Sequence, residues 1–281
     1  MARIVGVHGV GKQRLGSNTL LKDWEPALAD GLERADGPRL EAGDLRIAFY
    51  GDLFRPPGQT LSVGDPLFTA DDVDEGFETE LLMEWWSACA VKDPAVPPPG
   101  GDTLARSPRA VQTAVRVLQN SRFFADVSLR ALVFDLKQVR RYLTDPEIRA
   151  AARERVEGAI GPDTRVVIAH SLGSVVAYEA LCARTDHQVR ALVTLGSPLG
   201  MRMVFERLQP EPGAWPGGSP DAPQWSNIVD EGDVVAAVQD LSLYFGTGVA
   251  GRAVHNGSHA HDATLYLTAK ETGQAVMEGL A

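Results

Sequence analysis

The chain is poor in cysteine. Among 281 residues only Cys89 and Cys182 are cysteines, and neither belongs to a CxxC pair. A disulfide framework is therefore excluded. Long apolar runs are also missing: no stretch of about 18 apolar residues exists, so no membrane-spanning helix is expected. The opening residues, Met1 to Gly9, pass straight into a strand pattern and lack the apolar core of a signal peptide. A reduced, cytoplasmic setting is the expectation, and in it the sequon Asn256-Gly257-Ser258 reads as a plain turn. Positive charge is short as well. Lys plus Arg is 27 against 37 Asp plus Glu, a net charge of −10. That balance excludes a duplex nucleic-acid partner, which demands a basic face, and a polybasic membrane anchor. Internal repeats are absent.

What is present is ordinary for a folded domain. The hydrophobic share is 44% and the charged share 23%, enough apolar material to exclude a disordered chain. The length suits one α/β domain with an insertion, or two domains.

Arg3–His8 is a β-branched run with a glycine-rich exit, the pattern of a strand buried on both faces of a parallel sheet. Helical spacing follows over 19–35, with Leu20, Leu21, Trp24, Leu28 and Leu32, and Leu45–Tyr50 reads as the next strand. This is a β-α-β unit. The pattern then changes. Phe54-Arg-Pro-Pro-Gly58 reads as a turn, 71–90 as a helix and 93–102 as a flexible Pro/Gly loop. Ser107-Pro108 caps a helix running toward Leu132, and Asp145-Pro146 starts another with Arg149, Arg153 and Arg155 on its wet side. The α/β repeat resumes with a strand at 164–169, a helix at 172–184, a strand at 189–195, a Pro/Gly-rich loop at 206–224, a strand at 226–229, a helix at 234–241 and a helical tail from 268. The expected organisation is a core of residues 1–51 and 161–281 and a mostly helical cap or lid of residues 52–160.

The segment richest in chemical information is Val166-Val-Ile-Ala-His170-Ser171-Leu172-Gly173. A strand runs into a serine and leaves as a helix, which is the G-x-S-x-G nucleophile elbow with Ala169 in the first glycine's place. Such a bend strains the serine backbone, tolerates only small neighbours and lifts Oγ above the sheet at the positive end of the helix. The plainer reading is a strand-turn-helix that happens to contain serine. An acyl-transfer site also needs N–H donors for the developing oxyanion. The loop after the first strand offers Val10, and the residue after the serine is Leu172. His8, Gly9 and His170 are expected to line the site.

A serine needs a base that is itself oriented. In the elbow arrangement the order is serine, acid, histidine. Downstream lie His187, His255, His259 and His261. His187 falls on the wrong side of the sheet. His261 is preferred, because it directly precedes the segment entering the final helix, with His259 as the alternate. Asp233 is the preferred acid, with Asp230 as the alternate; helix capping would equally explain an Asp at 233.

A competing motif overlaps the first strand. Gly6-Val-His-Gly-Val-Gly11-Lys12-Gln13 spells a phosphate loop, with Gln13 where a hydroxyl should hold Mg²⁺, and Ala131–Asp135 could pass for a Walker B strand. A nucleotide-binding protein is thus the second reading, and a non-catalytic scaffold the third.

With these pieces in place, the chain resembles the α/β-hydrolase superfamily in its lipase- and esterase-like branch. The matching segments are Val7–Gly11, Ala169–Gly173, Leu195-Gly196-Ser197-Pro198, Trp225–Val235 and His261–Tyr266. The resemblance implies a mostly parallel sheet flanked by helices, a minimal core without the family's leading antiparallel strands, Ser171 as nucleophile, Asp233 as acid, His261 as base, and Val10 and Leu172 as oxyanion donors. No cofactor and no metal are implied. Phe54, Leu67, Phe68, Phe77, Leu81, Trp85, Trp86, Phe123 and Phe124 of the insertion would either line the site or form the insertion's own core. The expected partner is a small molecule with an apolar acyl portion. Esterase, thioesterase, peptidase and acyltransferase chemistry all share this machinery.

Overall fold

A computed structural model describes residues 2–55, 68–100, 107–121, 123–124, 128–184, 186–212, 215 and 223–281. Leu67, most of the turn at 54–58, residues 101–102 of the Pro/Gly loop and much of the 206–224 stretch lie outside the described residues.

The described chain is an α/β structure built on a six-stranded sheet, with β1 Ile4–Val7, β2 Leu45–Ala48, β3 Val166–His170, β4 Ala191–Leu195, β5 Gln224–Asp230 and β6 Val249–Val254 in the order β2-β1-β3-β4-β5-β6. Every described pairing is parallel; Val7 sits opposite both Ala48 and Ala169, and Leu195 opposite Ile228. β1 and β3 are buried along their whole length. Alternation sorts their side chains to two faces. Ile4, Val166 and Ile168 join a cluster with Leu20, Trp24 and Leu28 of α1 (Ser17–Arg34) and Val276 of α10 (Lys270–Leu280). Val5, Val7, Val167 and Ala169 face a larger cluster on the other side.

That second cluster joins the sheet to the inserted helices α2 (Phe77–Lys92), α3 (Pro108–Asn120), α4 (Leu129–Thr144) and α5 (Pro146–Ala159). Their starts follow local chemistry. Ser107, Ser128 and Asp145 each accept a hydrogen bond from a first-turn N–H, and Pro108 and Pro146 occupy first-turn positions. α5 packs against β2 and against α6 (Leu172–Ala183), so it belongs to the layer covering the sheet.

Several sequence-based expectations are corrected. The helix expected from Pro108 to Leu132 is two helices, broken after Asn120. Residues 234–241 form turns and extended chain rather than a helix; short helices appear at Arg202–Phe205 (α7) and Ser242–Phe245 (α8). The strand β6 went unforeseen, because an edge strand with Gly251 and mostly exposed side chains carries no buried apolar run. The tail divides into α9 (Ala263–Thr268) and α10. Arg149 is not on a wet face: it is buried and paired with Glu179 on α6 at 2.6 Å. Ala131–Asp135 lies within α4, so it is no strand.

Candidate active site

The strand order reverses direction beside β1, and in open parallel sheets the crevice beyond the strand ends at such a switch point is where ligands bind. The loops after β1 and β3 meet there. Ser171 sits between β3 and α6 with φ 53° and ψ −131°, one of two non-glycine residues with positive φ among the described residues. The bend is closely packed against the exit of β1. A side chain at Gly173 would place its Cβ 2.4 Å from the His8 carbonyl oxygen, so only glycine lets α6 approach the exit of β1. Ala169, by contrast, fits in the buried cluster. Behind the serine, the Ser174 hydroxyl donates to the Ser171 carbonyl at 2.6 Å and meets the Ser197 hydroxyl at 2.7 Å.

A hydrogen-bonded chain leaves the serine. Its hydroxyl donates to His261 Nε2 at 3.0 Å, and His261 Nδ1 donates to Asp233 Oδ2 at 2.7 Å. Asp233 lies in the turn after β5. Its Oδ2 also accepts the Tyr266 hydroxyl at 2.8 Å, and its Oδ1 accepts the N–H groups of Val235 and Ala236 at 2.9 and 3.3 Å. His261 is fixed from three sides. Asp262, next in sequence, caps α9. His170 Nε2 donates to the His261 carbonyl at 2.9 Å, and the two imidazoles lie 4.7 Å apart. Gly196, at φ 54°, keeps the space clear, since a Cβ there would stand 2.6 Å from Asp233 Oδ2 and 3.1 Å from His261 Nδ1.

The electrostatics follow from these contacts. Burial pulls the His261 pKa down, but the Asp233 carboxylate overrides it and the net shift is upward. Burial likewise works against ionised Asp233, and His261 and Tyr266 reverse the balance, leaving its pKa lowered. His170 is pushed down to about 3 by burial and by His261, so it stays neutral.

The alternates fall elsewhere. Asp230 accepts the N–H of Gly232 at 2.6 Å and the N–H of Asn256, and its own N–H donates to the Tyr266 hydroxyl at 2.9 Å. It braces the acid turn against the histidine loop. His259 is exposed on the cavity rim, and His261 carries the imidazole that meets Ser171. His187 is half-buried beyond the far end of α6.

His8 does not line the cavity. It is buried and stacked on Tyr50 at 4.3 Å, its Nδ1 donates to the Gly9 carbonyl at 2.7 Å, and burial lowers its pKa to about 4. Gly9 backs the serine: a Cβ there would lie 2.7 Å from Ser171 Cβ. His170 likewise supports the site from behind its imidazole. Val10 and Leu172 do line the cavity, and neither N–H donates to any described residue. The neighbouring Gly11 N–H is engaged by Gln138 Oε1 at 3.3 Å, which ties this loop to α4.

The cavity over Ser171 measures about 270 Å³. Leu81, Trp85, Phe123 and Phe124 of the insertion line it, while Phe54 and Trp86 are buried in the larger cluster. Three contributors escaped the sequence reading. Tyr266 had no local signal marking it as a partner of the acid. Gln138 and Asp135 approach from α4, which sequence spacing alone could not bring to the β1 loop.

The phosphate-loop reading lacks its frame. Gly6 lies inside β1, and α1 begins only at Ser17 after Gly16, so the Gly-to-Lys12 stretch does not run into a helix N-terminus. Among the described residues no group of three or more His, Cys, Asp or Glu side chains is arranged to hold a metal ion, and no helix is long and apolar enough to cross a membrane. No family model, curated protein or solved structure matches the chain.

Proposed function

We propose that the protein is a serine hydrolase of α/β-hydrolase type, cleaving an ester-type bond of a small, largely apolar substrate through an acyl-enzyme on Ser171. The observation that carries this reading is the continuous chain Ser171–His261–Asp233, at 3.0 and 2.7 Å, beginning at a strained serine on the head of a helix.

In this reading His261 Nε2 takes the hydroxyl proton as Oγ attacks the carbonyl carbon, and later returns it to the leaving group. Asp233 holds the tautomer in which Nε2 is free to accept, and it stabilises the imidazolium. The unengaged N–H groups of Val10 and Leu172 are the donors for the oxyanion, helped by the positive end of α6. Water, activated by the same imidazole, then releases the acid. The helices that roof the cavity supply apolar contact for the acyl or alcohol portion.

The test is labelling of the native protein by a fluorophosphonate probe. Label is expected on Ser171, with loss of labelling in Ser171→Ala and a fall of about 10⁵-fold or more in ester kcat. Undiminished labelling of that variant would remove Ser171 from the role.

A further inference from the structure

Asp135, an ionisable side chain in the cavity, has no part in the reaction just described. Asp135 projects from α4, one turn before Val139, and both line the cavity. Its Oδ1 accepts Gln138 Nε2 at 3.3 Å, its Oδ2 accepts no hydrogen bond from a described residue, and no described basic residue forms an ion pair with it. Burial pushes this carboxyl up to about 7, while His261 and Lys12 pull it down. No Lys or Arg lines the cavity, whereas Asp233 and Asp262 do. Aromatic rings line the same cavity, among them Trp85 and Phe124, whose centroids lie 5.8 Å apart with the rings inclined at 34° to each other.

Resting on the serine-hydrolase reading, we propose that the cavity selects an ester carrying an ammonium group, held by the Asp135 carboxylate against the aromatic faces of Trp85 and Phe124. Chemistry separates the candidates. A pure hydrocarbon chain would strip water from Asp135, give it no partner and drive it to its protonated form. An anionic chain meets three carboxylates and no lysine or arginine. A hydroxyl would satisfy one oxygen and leave the charge uncompensated. An ammonium group compensates the charge, and its apolar substituents pack on ring faces that attract cations. Its arrival also favours the ionised form of Asp135, because a nearby opposite charge lowers a carboxyl pKa.

The experiment compares trimethylammonium esters with their uncharged tert-butyl isosteres, one pair charged on the alcohol side and one on the acyl side. In at least one pair the native enzyme is expected to favour the charged ester by about ten-fold or more in kcat/KM, as desolvated cation–π contact plus an ion pair would give. Asp135→Asn should lower that ratio several-fold, to the part that the ring faces alone supply; an unchanged ratio would remove Asp135 from the role. A readout free of any variant accompanies it: hexylammonium should slow fluorophosphonate labelling of the native protein at concentrations where hexan-1-ol does not. If Ser171 labels normally but neither pair favours the cation and hexylammonium gives no protection, the cation proposal falls and the hydrolase reading stands. If the native protein does not label at all, both fall.

Discussion

Two buried carboxylates invite comparison. Glu179, within α6, accepts the Tyr142 hydroxyl at 2.7 Å and Arg149 at 2.9 and 2.6 Å. Asp233, in the turn after β5, accepts the Tyr266 hydroxyl at 2.8 Å and His261 at 2.7 Å. Each is buried, each has a tyrosine, and each has a nitrogenous partner. They differ in what that partner can release. A guanidinium keeps its protons at any accessible pH, whereas an imidazole exchanges one near neutrality. The Glu179 knot therefore clamps α4 and α5 to α6. The Asp233 pair can hand a proton along a chain that ends at a cavity. Burial and hydrogen bonding alone do not mark a reactive site; a titratable partner facing open space does.

The largest effect that would separate the two centres is on catalysis. Asp233→Asn is expected to cost about 10⁴-fold in kcat/KM, since an amide favours the wrong imidazole tautomer. Steady-state kinetics on a chromogenic ester measure it. The pH profile sharpens the point. In the proposed mechanism attack needs neutral His261, so kcat/KM is expected to fall as pH drops through its pKa, which Asp233 holds above the ordinary histidine value against the opposing pull of burial. In Asp233→Asn the largest upward pull is gone, with only the smaller ones of Asp135 and Asp262 left, and the acid limb should move to lower pH. A limb that stays in place would show that Asp233 does not govern the imidazole.

Next in size is a stability effect at the other centre. Arg149→Ala leaves Glu179 buried without its cation and should destabilise the fold by about 3–5 kcal/mol, read from urea unfolding. An unchanged midpoint would make the knot dispensable. The smallest pair of effects compares the tyrosines. Tyr266→Phe removes one donor from Asp233 and should lower kcat/KM by roughly ten-fold, the worth of a hydrogen bond to a charged group. Tyr142→Phe should instead cost about 1–2 kcal/mol of stability with kcat/KM unaltered. If the two tyrosine variants behaved alike, the contrast between the centres would be lost.

Parts of this arrangement were legible beforehand and parts were not. The fully buried strands β1, β3 and β4 announce themselves as short, largely apolar runs, and the bend at Ser171 follows from a strand, a serine and Gly173 in close order. The edge strand β6 has no such run, because one of its sides is unpaired and most of its side chains meet water. The stretch 234–241 has apolar spacing that suits a helix, yet Asp233 Oδ1 binds the N–H groups of Val235 and Ala236 in a turn and Asn227 holds the Gln239 carbonyl from the strand. Arg149 reads as a surface residue until Glu179, 30 positions away, is seen to receive it.

Local order along the chain determined the α/β alternation, the sharp serine bend and the short list of acids and histidines from which a relay could be drawn, because period and turn chemistry act over a few residues. Within that list local context favoured Asp233 and His261, and the folded molecule shows which groups come within hydrogen-bond reach of one another. Asp230 and Asp233 stand three positions apart and His259 and His261 two, and nothing in their immediate neighbours distinguishes them strongly. The hydrogen-bonded chain itself depends on how β5, α9 and the β1 and β3 loops pack to bring Asp233, His261 and Ser171 together, and α4 adds Asp135 to the cavity lining, both of them contacts across distances that no local pattern encodes.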